Sequence, residues 1–290
     1  MASDSILVTG AAGQLGTELV KEFALRGWPV RGFTRAQLDT TGAAAVESHL
    51  RECAPAVVVN AGAYNLVDLA EQEPDAALNG NALAVRNLAV YCRAHGAKLI
   101  HFSSDYVFDG TAGRPYTEAD PVHPLGAYGV SKLAGEHFAQ AYCPDALVLR
   151  TAAVYGPAGT STRRGNFVET MLRLAQQGRP LRIVSDQITS PAYTVALAER
   201  TADLLAAGAT GIVHAGGGTP LSWFHFAREI FTAAGLTPDL TPVSSSEYPT
   251  VARRPAYSAL HNQRLADLGM APMPALAGCL ADYMARTGRR

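Results

Sequence analysis

Short β-branched runs alternate with longer helical patterns from residue 5 to residue 149. The runs fall at 6–9, 29–33, 56–60, 98–102 and 146–150, and most are nearly continuous in apolar residues, as strands covered on both faces must be. Between them apolar positions recur at helical spacing over 15–26, 42–53, 75–94 and 126–142. Gly27 and Gly96 stand where a helix end turns into a left-handed conformation. This order predicts parallel strands joined by crossover helices, a doubly wound, Rossmann-type α/β sheet.

Past Tyr155 the texture changes. Residues 156–165 read as a long polar loop, a kind of segment that usually carries function in a compact domain. A helix over 166–177, a strand at 181–184 and a helix over 195–206 follow. Residues 211–215 read as a strand returning to the main sheet, and Ser222 as the N-cap of a helix over 223–234. The remainder reads as a smaller lobe closing over the strand ends. The expected division is a cofactor-binding domain of residues 1–160 with about 195–216, and a substrate lobe of about 161–194 and 217–290. No internal repeat or low-complexity linker interrupts it.

With 290 residues, 48% of them hydrophobic and 17% charged, the chain can bury one large core with a smaller lobe attached. A net charge of −1 without any lysine- or arginine-rich block removes the footprint of a nucleic-acid binder. No stretch approaches the ~20 apolar residues of a membrane span. The opening Met1-Ala2-Ser3-Asp4-Ser5 runs into the first strand without the apolar middle of a signal sequence, so a cytoplasmic protein is expected. Cys53, Cys92, Cys143 and Cys279 lie far apart, and neither they nor the eight histidines show a metal-ligand spacing. Reduced thiols and no dedicated metal site are expected.

The first strand ends in Gly10-Ala11-Ala12-Gly13-Gln14-Leu15-Gly16 and a helix follows at once. Glycines there permit a tight turn and let the backbone approach a pyrophosphate, which the amides at the helix N-terminus would meet. The alternative, a merely tight turn, is weakened by the position between the first strand and first helix of a βαβ unit. Arg35 ends the second strand, where an NAD site usually carries an acid. A guanidinium suits a 2′-phosphate, so NADPH is the expected cofactor. Asp39 keeps NADH open, and a solvated loop arginine is the plain alternative for Arg35.

Tyr128 and Lys132 stand four residues apart on one predicted helix face. A tyrosine near pKa 10 is a poor acid-base group at neutral pH. The Lys132 cation and a positively charged nicotinamide are expected to draw it toward the working range. Ser104, at the end of the fourth strand, is placed to hydrogen-bond a substrate carbonyl oxygen beside Tyr128, with strand-end capping as the alternative. Together Ser104, Tyr128 and Lys132 suggest carbonyl reduction. Tyr128 would protonate the developing alkoxide, Ser104 would share its charge, and Lys132 would hold the nicotinamide ribose while the cofactor supplies the hydride.

With these residues assembled, the chain resembles the dTDP-4-dehydrorhamnose reductase family of extended short-chain reductases over nearly its whole length. The resemblance is carried by the run from Val8 to Gly16, Val59 to Tyr64 with Val67-Asp68 and Ala70-Glu71, and Asn81. It continues through Ser104 to Gly110, Tyr128 to Lys132, Asn166-Phe167-Val168, Asp186-Gln187 with Ser190-Pro191, Ser222-Trp223, and Arg254-Pro255 with Ser258-Ala259-Leu260. It implies reduction of the 4-keto group of a nucleotide-linked 6-deoxysugar by NADPH or NADH. It also implies cofactor contacts at Gly10, Gly13, Gln14, Leu15, Ala61, Ala63, Tyr64, Asn81, Tyr128 and Lys132, and substrate contacts at Asp105, Tyr106 and Ala153. Arg163, Asn166, Gln187 and Arg254 are further candidates for the nucleotide diphosphate or sugar, and a surface or hinge role is open for each.

The chain departs from the family at three places. Ser104 replaces a common threonine, which keeps the hydroxyl. Ala153 stands where the family commonly has a tryptophan facing the sugar, which leaves the exact sugar open. Asn65-Leu66 replaces residues that are often small or polar. Among related enzymes, a dehydratase would carry an Asp-Glu pair where this chain has Asp105-Tyr106. A 4-epimerase shares the triad but tends to be longer and to keep an acid after the second strand. The regulatory beta subunit of methionine adenosyltransferase has the same resemblance without catalysis, and a reductase of free ketones would need no nucleotide. The expected partner is a nucleotide-sugar substrate. Helices from Asp75 and Gly126 pair in many short-chain dimers, so monomer and homodimer both stay open.

Overall fold

The computed structural model describes residues 5–161 and 165–289. Its strands are β1 (Ile6–Thr9), β2 (Val30–Phe33), β3 (Val57–Asn60), β4 (Lys98–Ser104), β5 (Leu147–Thr151), β6 (Leu181–Val184), β7 (Ile188–Thr189), β8 (Gly211–His214), β9 (Leu221–Ser222) and β10 (Leu240–Val243). Its helices are α1 (Gln14–Leu25), α2 (Ala43–Cys53), α3 (Val67–Ala70), α4 (Pro74–Leu78), α5 (Ala84–His95), α6 (Ala127–Tyr142), α7 (Phe167–Ala175), α8 (Thr194–Ala206), α9 (Trp223–Ala234), α10 (Gln263–Asp267) and α11 (Leu276–Thr287).

Six strands form one parallel sheet in the order β2-β1-β3-β4-β5-β8, as the alternating pattern predicts. Because successive side chains of a strand point to opposite faces, each strand feeds two cores. Ile6, Val8, Val59 and Ile100 pack on one side with Leu19 and Phe23 of α1 and Leu197 of α8. Leu7, Val58 and Leu99 pack on the other with Leu50 of α2, Leu88 of α5 and Ala139 of α6. Each fully buried side chain of this size contributes about 1.5–3 kcal/mol.

The first core continues beyond the sheet through Met171 of α7, Phe226 and Ile230 of α9, and Leu280 and Tyr283 of α11. The later part of the chain is therefore fixed against the sheet by shared burial. Two small sheets, β6 with β10 and β7 with β9, complete it. Ser222 caps α9 as expected, its side chain accepting from His225 N at 3.2 Å.

Several boundaries differ from the pattern. The strand expected at 98–102 runs on to Ser104, because Ser103 and Ser104 still pair with Arg150 and Thr151 of β5. The helix expected over 75–94 starts at Pro74 and is interrupted by a π-helical turn, Asn79–Leu83. The cause is tertiary. Asn81, almost fully buried, accepts from Tyr64 N at 2.8 Å and donates to Tyr64 O at 2.9 Å and Ser131 Oγ at 3.0 Å. Widened turns of this kind often sit at functional sites. The loop expected at 156–165 carries a 3₁₀ turn, Pro157–Ser161. Arg163 lies outside the described residues.

Candidate active site

Strand order reverses between β1 and β3, and in open α/β sheets ligands bind at the carboxyl ends of the strands beside such a reversal. Two cavities occupy that place. One, of about 1220 Å³, is lined by Gly10, Gly13, Arg35, Asp39 and Tyr64 among others. The other, of about 350 Å³, is lined by Gln14, Leu15, Ser104, Asp105, Tyr106, Tyr128, Lys132, Ala153, Gln187 and Arg254 among others. They share Gly13, Ala61, Gly62, Ala63 and Asn65, so a cofactor lying in the larger reaches into the smaller.

The glycine turn fits a dinucleotide. Gly10 has φ +68°, and a Cβ there would come within 2.6 Å of Gly62 N. At Gly16 a Cβ would strike the Gly10 carbonyl oxygen. Only glycine lets the turn pack this closely, and α1 then begins on Gly13 without a side-chain cap. Its first amides are left for an anionic ligand. At the other end of the groove Arg35 is largely exposed, with Nε 3.7 Å from Asp39 Oδ2. Asp39 itself accepts from Thr41 N at 3.0 Å and Thr41 Oγ1 at 2.8 Å, bonds that hold its carboxyl below the usual range. The carboxylate is thus turned to its own loop, and the guanidinium is the freer group for a phosphate.

Ser104, Tyr128 and Lys132 meet in the smaller cavity. Ser104 Oγ donates to Asp105 Oδ1 at 3.0 Å and accepts from Tyr106 N at 3.2 Å, and it shares the cavity with the Tyr128 phenol. Lys132, buried, donates from Nζ to Phe102 O at 2.6 Å. Burial draws its ammonium down to about 8, against the opposing charge of Glu136. Burial pushes the Tyr128 phenol up to about 12, with Ser104 lowering it and the Asp105 charge raising it. Among the protein's own groups desolvation outweighs every nearby charge on Tyr128, so the lowering expected from Lys132 together with a positively charged nicotinamide would have to come with the cofactor.

Asp105 is the most perturbed carboxyl of the cavity. Burial raises it to about 6, although Ser258 Oγ donates to its Oδ2 at 2.6 Å and Ser104 to its Oδ1. Tyr106 packs edge-on to Tyr128, ring centroids 5.7 Å apart. Arg254 forms a two-point pair with Asp68, Nη2 to Oδ2 at 2.8 Å and Nη1 to Oδ1 at 3.3 Å, with one side on the cavity. Ala153 has φ +42°, one of two non-glycine residues in the left-handed region among those described. The next carbonyl, Val154 O, accepts from Gln14 Nε2 at 3.1 Å.

Two expected contacts, Asn81 and Asn166, line neither cavity. Both ends of the Asn81 amide are spent on Tyr64 and Ser131, so it positions the segment after β3 against α6. Asn166 caps α7 by accepting from Glu169 N at 3.0 Å, and its Nδ2 donates to Gly156 O at 3.1 Å and Gln14 Oε1 at 3.4 Å, so it braces the loop before α7. Sequence reasoning passed over Ser258, Thr189 and Trp223, all cavity residues. Their signal was adjacency: each lies in or beside a motif already quoted. Among the described residues no group of three or more His, Cys, Asp or Glu is arranged to hold a metal ion, and no helix is long and apolar enough to cross a membrane.

Comparison with known proteins shows the family. The family model for the RmlD substrate binding domain matches residues 4–288. A dTDP-4-dehydrorhamnose reductase of Mycobacterium tuberculosis is 40% identical, over 98% of this chain and 93% of that one. A probable dTDP-4,6-dihydroxy-2-methyloxan-3-one 4-ketoreductase of Streptomyces antibioticus is 39% identical, over 92% and 90%. The crystal structure of the Bacillus anthracis dTDP-4-dehydrorhamnose reductase in complex with NADP superposes with a TM-score of 0.93 at 34% identity, over 98% of this chain and 99% of that one.

Proposed function

The chain belongs to the dTDP-4-dehydrorhamnose reductase family, and on that premise we propose that it is an NAD(P)H-dependent oxidoreductase reducing the 4-keto group of a nucleotide-linked 6-deoxysugar. The observation that carries this reading is the meeting of Ser104, Tyr128 and Lys132 in a cavity continuous with a dinucleotide groove. A nicotinamide cofactor, when bound, supplies hydride to the carbonyl carbon. Tyr128, protonated well above neutral pH, gives its proton to the carbonyl oxygen, and Ser104 in the same cavity helps to place that oxygen. Lys132 lies one helical turn beyond Tyr128, with Nζ anchored on Phe102 O, so its ammonium is held under the reacting centre. Arg254, Gln187, Tyr106 and Ala153 complete the substrate side of the cavity. The division into a cofactor-binding domain (1–160 with about 195–216) and a substrate lobe (about 161–194 and 217–290) is part of the same proposal, as is a place in the cytoplasm.

Purified protein should consume NADPH with dTDP-4-dehydro-6-deoxyglucose or its 3,5-epimerised form, and not with a ketone lacking the nucleotide. Absence of turnover with both sugars would overturn the reading. The preferred sugar follows from the same assay, since relatives at 39% and 40% identity carry different substrate names.

Cofactor choice is checked at Arg35. An Arg35→Ala variant should raise KM for NADPH roughly 10-fold, the weight of a charge-assisted phosphate contact, and leave KM for NADH within a factor of two. Equal KM changes for both cofactors would show that Arg35 does not read the 2′-phosphate.

A further inference from the structure

The helix that carries Tyr128 and Lys132 has no cap of its own. Its N-cap is Gly126, which has no side chain to accept a hydrogen bond, and its first turn carries no acidic residue. The free amides of a helix start then need an acceptor from elsewhere. Ala127 N finds one 56 residues away, donating to Glu71 Oε1 at 2.8 Å.

Two glycines make this contact possible. A Cβ on Gly126 would strike Glu71 Oε1, and the three atoms nearest to it all belong to the Glu71 carboxyl. The Gly126 φ of −157° is ordinary extended backbone, so the glycine serves the carboxylate rather than a turn. At Gly129 a Cβ would strike the Tyr106 carbonyl oxygen, which brings the same helical turn against the end of β4. Glu71 follows directly on α3, and Asp68 of that short helix pairs with Arg254 and accepts from Ala252 N at 3.0 Å. The segment leading into α3 lines both cavities through Ala63 and Asn65. One short helix therefore ties the cofactor segment, the substrate side and the start of α6 together.

Tyr128 is the second residue of α6, one past the capped amide. Lys132 lies a turn deeper, and its Nζ is anchored separately on Phe102 O. Loosening the first turn thus displaces the phenol and spares the ammonium. Glu71 lines neither cavity of the active site; it shares a smaller cleft with Tyr128, Tyr106 and Gly129 and touches no reacting atom.

We propose that Glu71 is a positioning residue for the reaction: it caps α6 across the fold and so fixes the Tyr128 phenol relative to the cofactor segment. The inference rests on the reductase reading above and adds what holds its acid in place. Glu71 is exposed, so water and salt screen its charge. What it supplies is an acceptor at a fixed place, and a glutamine oxygen supplies the same.

The test measures kcat and KM for NADPH, with the preferred sugar of the assay above, for the wild type, Glu71→Ala, Glu71→Gln, Gly126→Ala and the double variant of both alanines. Glu71→Ala should lower kcat roughly 10-fold, short of the ~100-fold that a misplacement of about 1 Å can cost. Its KM for NADPH should change by less than about twofold, because Lys132 keeps its anchor. Glu71→Gln should recover kcat to within about threefold of the wild type. Gly126→Ala keeps the carboxylate but displaces it, so it should match Glu71→Ala, and the double variant should lose no more than either, since both remove one hydrogen bond. A kcat for Glu71→Ala within about twofold of the wild type, an equal loss with glutamine, a KM for NADPH that rises as kcat falls, or losses that multiply in the double variant each overturn the assignment of Glu71 alone. Wild-type protein that reduces neither sugar overturns the reductase reading and this inference with it.

Discussion

Tyr128→Phe should retain the fold and the affinity for NADPH while kcat for ketone reduction falls by roughly 10³-fold, within the span that general acid catalysis supplies. The phenol shares the cavity with Ser104 and is held protonated by burial, and nothing else within the triad replaces it: Ser104 already donates to Asp105, and Lys132 to Phe102 O. Residual turnover would come from the positioning of the ketone by Ser104 and from proximity to the cofactor. Steady-state NADPH consumption, set beside NADPH binding and thermal denaturation of the same variant, checks the split. A loss of less than tenfold would remove Tyr128 as the acid.

The pH dependence has a defined sign. A phenol held near 12 is protonated at every pH at which the protein is assayed, so reduction does not lose its acid as pH rises. The limiting group on the alkaline side is Lys132, charged below about 8 and neutral above it, so kcat for reduction should fall through that region. Alcohol oxidation, which needs the phenolate, should rise with pH instead.

Most of this site was legible as local chemistry on a regular frame. The glycine turn, Ser104 at a strand end, and Tyr128 and Lys132 on one helix face depend on spacing within single elements, and spacing is what a sequence displays. Asn166 illustrates the limit. It is a candidate for the nucleotide diphosphate or sugar with a hinge role open, and an asparagine at the start of a helix has a nearer use as an N-cap, its amide nitrogen donating to Gly156 O and Gln14 Oε1. The positioning role of Asn81 could not be read locally, because its partners, Tyr64 and Ser131, lie 17 and 50 residues away. The substrate side was least legible for the same reason. Thr189 and Ser258 reach Asp105 only because β7 pairs with β9 and with the segment around Tyr257, contacts that no local pattern announces.

The pKa of Tyr128 belongs with these long-range effects. Spacing showed a lysine one turn away, and an adjacent cation lowers a phenol in water. Burial acts on the same phenol in the opposite sense and depends on everything that covers it. For a reductase the covered state is the useful one, since the acid must arrive at the ketone protonated.

A second large effect is expected at Glu136, on the same helix as Tyr128 and Lys132. Its carboxylate receives a bidentate pair from Arg150, Nε to Oε1 at 2.9 Å and Nη2 to Oε2 at 2.7 Å, with side chains 1% and 3% exposed. Such a pair adds little over a well-packed apolar one, but removing one partner strands a buried charge and costs about 3–5 kcal/mol. Arg150 also meets His214, Nη1 to Nε2 at 3.5 Å, and the Phe108 ring 5.2 Å away, and neither contact neutralises it. Glu136→Ala should therefore lower Tm by on the order of 10 °C, and replacing Arg150 with methionine in the same protein should recover part of the loss. The variant should also shift catalysis, because Glu136 is the charge that holds Lys132 up against burial. Without it the alkaline fall in kcat moves to lower pH. A Tm within about 2 °C of the wild type would mean that solvent reaches Arg150 and relieves it; a lowered Tm with an unmoved pH profile would separate the structural role of Glu136 from any influence on Lys132.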